Sequence, residues 1–276
     1  MKEIKGQSFL QNHPCYNKAA SANWGRLHLP VAPNCNIQCN YCNRKYDCAN
    51  ENRPGVTQHV YTPQEAAAFV HKVFDARKDI SVVGIAGPGD PMCDADKTLE
   101  TFRLVKKDFP HVMLCLSSNG LAVPDYVNEI SDLGITHVTI TANAIDPEIA
   151  KHVYSMVRYE GNIYKGIDGA RILLERQAES IRKLKEKNII VKINTVVVPD
   201  INMDHVLAIA KQAEAWGVDL MNCIAMIPVH DTAFENHRGP TTEEIDNMRQ
   251  FIGHYVPQMT HCKRCRADAI DRKSVV

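Results

Sequence analysis

Short apolar runs recur at residues 27–32, 80–86, 112–117, 137–141, 189–198 and 218–227, and read as buried strands. Between them, apolar positions at three- and four-residue spacing predict helices over 62–77, 96–107, 124–133, 147–152, 169–187, 203–216 and 241–255. The first helix opens with Thr62-Pro63-Gln64-Glu65, in which Thr62 caps, Pro63 suits the first turn and Glu65 completes a capping box. Residues 154–168, rich in Tyr, Gly and Asn, read as a long insertion loop. Strand and helix alternate, and the strands are nearly continuous apolar runs, which is the pattern of a parallel sheet covered on both faces. Six such units predict an α/β fold, a partial (β/α)6 TIM-type barrel, although a doubly wound open sheet would place its loops on one rim as well.

A chain of 276 residues can form one domain of this kind. It divides into an N-terminal arm (1–26), a barrel core (27–240) and a C-terminal helix with a C-x2-C segment expected to lie over the barrel mouth (241–276). Lys plus Arg and Asp plus Glu stand at 32 each, so no net charge favours nucleic acid. Aromatic content of 7 % with two Trp offers no stacking platform for single strands. No apolar run approaches the ~18 residues needed to cross a bilayer, and the polar start lacks the apolar core of a signal peptide. A cytoplasmic protein is expected, with neither membrane nor nucleic acid as partner. Ten cysteines in a reducing compartment then mean metal or redox chemistry rather than disulfides.

Cys35, Cys39 and Cys42 place three thiols in the spacing C-x3-C-x2-C directly after the first strand. Thiolates are soft ligands for iron-sulfur clusters, and three can hold three irons of a cubane while the fourth iron keeps no protein ligand. Structural zinc is the rival reading, but it wants four closed ligands. The barrel geometry gathers chemistry at the carboxyl ends of the strands. The cluster loop, Gly87-Pro88-Gly89-Asp90-Pro91, Ser117 to Asn119 and Thr141 to Asn143 all fall there.

The spacing, with Tyr41 before the last Cys, resembles the radical S-adenosylmethionine (SAM) superfamily. The longer string from Cys35 through Cys48 to Gly55, together with His13-Pro14-Cys15-Tyr16 and Cys262-Lys263-Arg264-Cys265, is similar to the NifB family of nitrogenase cofactor biosynthesis proteins. The superfamily resemblance implies that the open iron of the Cys35/Cys39/Cys42 cluster chelates SAM, whose cleavage yields a 5'-deoxyadenosyl radical. The family resemblance implies two further [4Fe-4S] clusters, one on Cys15, His28 and Cys48 and one on Cys115, Cys262 and Cys265, making three in all. It implies an enzyme that fuses these two clusters into an eight-iron precursor carrying a SAM-derived carbide and an added sulfur. The partners implied are an iron-sulfur cluster donor, an electron donor such as ferredoxin, and separate cofactor carrier or scaffold proteins of nitrogenase assembly, since a carrier-like domain often seen in the family does not follow Cys265.

For SAM itself, Gly87, Gly89 and Asp90 occupy the place of the superfamily's glycine-rich motif for the amino group, with Asp90 where Glu is usual. Ser117, Asn119, Thr141, Asn143 and Asn194 offer polar groups toward the same mouth, and Met226 offers main-chain bonds to adenine; each has a plain turn-cap or core alternative. Asp90, Glu65 and His28 are the candidate proton acceptors, Glu65 being already explained by its cap. Cys262 and Cys265 carry their own signal, because Lys263, Arg264 and Arg266 favour the thiolate. Cys93 and Cys223 read as non-ligands. Rival functions are another multi-cluster radical SAM enzyme acting on a peptide or RNA, a non-catalytic iron-sulfur scaffold, and a zinc-stabilised binding module.

Overall fold

A computed structural model describes residues 12–271. Six parallel strands form its main sheet: β1 (Gly25–His28), β3 (Ile80–Ile85), β4 (Met113–Ser118), β5 (Ile135–Thr141), β8 (Ile190–Val197) and β9 (Leu220–Ala225), paired in that order. Helices Pro63–Ala76, Ala95–Asp108, Val127–Asp132, Gly166–Glu186 and Val206–Ala215 fall between successive strands, giving the partial (β/α)6 barrel that the alternation predicts. Pairing at β1 outlasts the formal strand, since Leu29 N donates to Gly84 O at 2.9 Å and Ala32 bridges Pro88. The capping box at Pro63–Ala76 forms as read: the Thr62 side chain accepts from Glu65 N, and the Glu65 side chain accepts from Thr62 N.

The strands are largely apolar on one face and mostly polar on the other. Leu27, Val83, Ile85, Leu114, Leu116, Val138, Ile140, Val191 and Ile193 pack under the helices with Phe102, which is wholly buried. Enclosing a phenylalanine side chain stabilises by about 1.5–3 kcal/mol. The alternate positions Arg26, His28, Cys115, Ser117, His137, Thr139, Thr141, Lys192, Asn194 and Asn222 turn inward, in the registers His28–Gly84–Cys115–His137 and Thr139–Lys192. The sheet therefore has an apolar outside and a polar inside, where the sequence reading expected two apolar faces. The inward residues are buried by the rest of the chain, so hydropathy alone hides the alternation.

Two elements were not foreseen. Residues 154–168 are not a loop: β6 (Tyr154–Tyr159) and β7 (Asn162–Tyr164) form a hairpin, turning at Glu160 and Gly161 with φ of 48° and 77°. Both central residues at positive φ match the tight turn that suits the natural twist of a hairpin. This hairpin receives β2 (Ile37–Cys39) from the cluster loop as a third antiparallel strand. The second is β10 (Ile270–Asp271), antiparallel to β1 at the sheet edge.

The chain before β10 closes the open side of the half barrel. Met221 N donates to Pro257 O at 2.8 Å and Met259 N to Met221 O at 2.8 Å, fixing one end to β9; His28 N donates to Ala269 O at 2.9 Å, fixing the other to β1. Between these anchors lie Cys262 and Cys265. No helix among the described residues is long and apolar enough to cross a membrane.

Candidate active site

The three-thiol loop is held from both sides. Its strand β2 sets Gln38 opposite Met156 and Cys39 opposite Tyr154, and the Gln38 amide donates to Cys39 O at 3.0 Å and Cys42 O at 2.7 Å. Tyr41, 1 % exposed, is more than a motif match. Its hydroxyl donates to Asn50 Oδ1 at 2.5 Å and accepts from Asn143 Nδ2 at 2.6 Å, tying the loop to the end of β5. Asn143 Oδ1 in turn accepts from Val196 N at 2.8 Å, so the strut reaches β8.

The thiols share one poorly solvated space. Burial and then the Asp90 carboxylate push Cys35 up to about 12. Burial followed by repulsion from Cys42 and Cys35 raises both Cys39 and Cys48. Arg44 stands within reach of Cys35, Cys42 and Cys48; burial opposes its charge, and the three sulfurs outweigh that cost. Several thiolates can coexist in such a space only on a strongly cationic guest. Among the described residues no three His, Cys, Asp or Glu side chains converge on a single ion. A soft, sulfur-only donor set spread over a loop fits an iron-sulfur cluster and not a closed zinc site.

The Gly87-Pro88-Gly89-Asp90 segment runs against this loop. Gly89 N donates to Ala32 O at 2.6 Å, Asp90 N to Asn34 O at 2.7 Å and Cys48 N to Pro88 O at 2.9 Å. A Cβ on Gly89 would stand 2.0 Å from Asn34 O, so close backbone approach is what requires glycine here. Asp90 is 4 % exposed and its oxygens already accept from Met92 N (2.9 Å), Ser118 Oγ (3.0 and 3.2 Å) and Asn119 N (2.5 Å). Burial raises its pKa against those bonds. Its geometry is that of a brace between the ends of β3 and β4, with its charge felt at Cys35.

Of the other rim residues, Asn119 Nδ2 donates to Asn36 Oδ1 at 2.7 Å and lies 3.9 Å from Cys35 Sγ. Ser117 and Thr141 face the interior, and the Thr141 carbonyl accepts from Gln177. Asn194 Nδ2 donates to Asn50 O at 3.0 Å and to the Glu51 carboxylate, while Asn222 Nδ2 donates to Asn194 Oδ1 at 3.3 Å. Met226 is buried in the apolar cluster of Ile37, Tyr41 and Phe234. Glu65 is exposed and its carboxylate is engaged by Thr62 N at 2.8 Å and Thr62 Oγ1 at 2.9 Å, which gives it to the helix cap and not to the mouth.

The remaining candidate ligands lie about the polar interior of the half barrel. His28 and Cys115 flank Gly84 on neighbouring strands: from a Cβ built on Gly84, His28 Cδ2 would be 3.9 Å and Cys115 Cβ 3.8 Å away. Cys15 and Cys115 both act on the Tyr16 phenol and on Lys192. Cys265 bridges Asn52, Arg53 N donates to Cys265 O at 3.0 Å, and Asn52 N donates to Cys48 O at 2.9 Å, so Cys265 adjoins the loop of Cys48. Arg26 donates to Cys265 Sγ. Cys262 packs with Cys15 on Tyr16, Ile190, Leu220 and Met259. Cys223 lies in the outer apolar layer, pushed up to about 12 by burial, and Cys93 is pushed up to about 11 by burial and then Asp90.

Sequence reasoning passed over charged residues of the interior, among them Glu51, Lys192 and Arg26. Glu51 sits within the string from Cys35 to Gly55 and faces Lys192 and Arg264. Lys192 interrupts the run Ile189-Ile190-Val191-Lys192-Ile193, and a lysine at an alternate position of a buried strand was the available signal.

The chain matches the family model described as "Radical SAM superfamily" over residues 29–213. It is 44 % identical over 261 residues to the "FeMo cofactor biosynthesis protein NifB" of Chlorobaculum tepidum, covering 95 % of this chain and 62 % of that protein. It is 43 % identical over 265 residues to the protein of the same description from Azotobacter vinelandii, covering 95 % and 53 %. The chain thus spans only about half to three-fifths of the length of these curated relatives. Among solved structures it resembles methylornithine synthase (TM-score 0.57, 14 % identity, 99 % of this chain and 86 % of that one). Streptococcus suis SuiB bound to S-adenosylmethionine superposes with a TM-score of 0.59 at 14 % identity over 84 % of this chain and 48 % of that one, a likeness of fold. With the family model spanning the barrel from the residue after β1 to the helix before β9, the chain belongs to the radical SAM superfamily.

Proposed function

We propose that this protein is a cluster synthase of nitrogenase cofactor assembly, which fuses two [4Fe-4S] clusters and inserts a SAM-derived carbide with an added sulfur. The observation that supports the reading is that Cys15, Cys115 and Cys262 lie around Lys192 inside the half barrel, with His28 on the same inward face, in addition to Cys35, Cys39 and Cys42. Similarity to the NifB proteins over 95 % of the chain supports the same reading.

Cys35, Cys39 and Cys42 would hold the SAM cluster, which with SAM supplies reductive carbon-sulfur cleavage and a methyl donor. Gly87, Gly89, Asn119, Asn143 and Asn194 shape the adjoining mouth, with Ser117 and Thr141 just inside it. Asp90 braces the strand ends. The two substrate clusters are assigned as the resemblance implies, Cys15, His28 and Cys48 for one and Cys115, Cys262 and Cys265 for the other, and the nearness of Cys15, Cys115 and Cys262 to Lys192 supports neighbouring sites for the two. Clusters held by three groups each are easier to release than ones locked by four thiolates. Cluster donor, electron donor and carrier proteins complete the reading, in the cytoplasm.

The test is anaerobic reconstitution with iron and sulfide, then SAM and dithionite. Wild-type protein should bind about twelve irons in three clusters and release 5'-deoxyadenosine. The variant C35A/C39A/C42A should keep about eight irons and release none. A triple variant that still cleaves SAM would end the proposal.

A further inference from the structure

Lys192 is a buried ammonium in the middle of the chamber. It is 5 % exposed and projects inward from β8 between Thr139 and Leu220 of the neighbouring strands. Four separate segments surround it, contributing Glu51 from the cluster loop, Cys15 from the N-terminal arm, Cys262 from the closing segment and Cys115 from β4. The face of Tyr16 also lies beside it, with Nζ 5.9 Å from the ring centroid. Among the described residues no oxygen or sulfur accepts a hydrogen bond from Nζ. A cation over an aromatic ring recovers less than the desolvation of a buried ammonium, which asks for paired and hydrogen-bonded anions. A charge of this kind, set among candidate ligands of two clusters, is matched to an anionic guest.

We propose that Lys192 binds the inorganic core of the iron-sulfur substrate, donating hydrogen bonds from its ammonium to sulfides that face the space between Cys15, Cys115 and Cys262. It is a substrate-orienting residue: it holds an anionic, sulfide-rich guest by its non-protein atoms and so fixes the edge that the guest presents to the SAM side. The inference rests on the cluster-synthase reading above and adds a binding group that reading does not contain. Sulfide carries its charge on large, soft atoms that bond through directed donors, and the three N–H bonds of one lysine can reach more than one of them.

The experiment compares wild type, Lys192→Met and Lys192→Arg, each prepared without metal and then reconstituted anaerobically with ferrous iron and sulfide. Thermal melts and retained iron after desalting are read on both forms. Methionine preserves length and removes charge, so the metal-free K192M protein should melt no lower than wild type, and by up to several degrees higher. Its gain in Tm on reconstitution should be at least halved, with retained iron falling from about twelve toward about eight per chain. K192R should recover at least part of both. Equal drops in Tm for metal-free and reconstituted K192M would mark a structural strut and overturn the proposal, as would a K192M protein that fails to fold. Retention of iron and Tm gain equal to wild type would overturn it too. Wild-type protein that binds only about four irons would instead sink the three-cluster reading, a result visible before any variant is compared.

Discussion

Substituting Gly89 by alanine isolates how the second-strand segment supports the cluster loop. Gly89 is not among the glycines with positive φ, so alanine meets no conformational penalty there. Its Cβ would stand 2.0 Å from Asn34 O, 2.6 Å from Asn34 C and 2.8 Å from Pro33 C, all backbone atoms that no rotamer change can move. Relief requires the two segments to part, which endangers the bonds Gly89 N to Ala32 O (2.6 Å) and Asp90 N to Asn34 O (2.7 Å). Overpacking costs about 1–3 kcal/mol and each lost bond about 0.5–1.5 kcal/mol, so a loss of roughly 2–6 kcal/mol follows. At about 2–4 °C per kcal/mol for a domain of this size, Tm should fall by about 5–20 °C. Gly161→Ala is the control: its φ is 77° but nothing lies within 4 Å of its Cβ, and the cost should be only about 1–2 kcal/mol of backbone strain. Thermal melts of the metal-free proteins and 5'-deoxyadenosine release after reconstitution provide the readouts. A G89A protein that melts with wild type and cleaves SAM at the wild-type rate would refute the close-approach argument.

Tyr41→Phe leaves a buried Asn143 donor and Asn50 acceptor unmatched and should cost about 1–3 kcal/mol in a urea melt, with slower SAM cleavage. Cys223→Ala should retain all reconstituted iron, because its thiol lies on the helix side of β9; any iron lost in proportion to a missing cluster ligand contradicts that placement. The carboxyl group of Glu244 is lowered to about 2, first by Arg238 and then by Thr241 N. A depressed folded pKa adds stability above the unfolded value of about 4.3 and loses it as pH falls toward 2. Glu244→Gln should therefore flatten acid sensitivity between those limits, and an unchanged acid-melting curve would show the cap to be inert.

Much of this architecture was legible because local rules and the global fold agree. Thr62 and Glu65 announce their helix by cap chemistry alone, and the alternation of apolar runs with amphipathic stretches leads to six parallel units. What stayed hidden depended on contacts distant in sequence. The hairpin 154–164 reads as a loop because its Tyr and Asn residues sit on a small sheet completed by β2, more than a hundred residues earlier. The inward face of the barrel reads as noise within apolar strands, since Lys192, Asn194 and Asn222 are buried by chain that arrives from residues 13–16, 48–53 and 257–265. Asp90 was legible as a polar group at a strand end, but its partners Ser118 and Asn119 show that its oxygens turn toward the scaffold.

The closing segment accounts for the position of Cys262 and Cys265 in the fold. A six-stranded half barrel has two free edges, and an unpaired edge or an open wall admits water to the interior. Here one stretch of chain bonds to β9 at Met221 and to β1 at His28, so it spans the gap, and its cysteines lie on the bridging part. Cys15 approaches from the arm beneath, and Cys48 from the loop above. Under the proposed function, candidate ligands would come from three segments distant in sequence and from the strand positions His28 and Cys115, so the site forms only when the arm, the loop and the closing segment have packed onto the sheet.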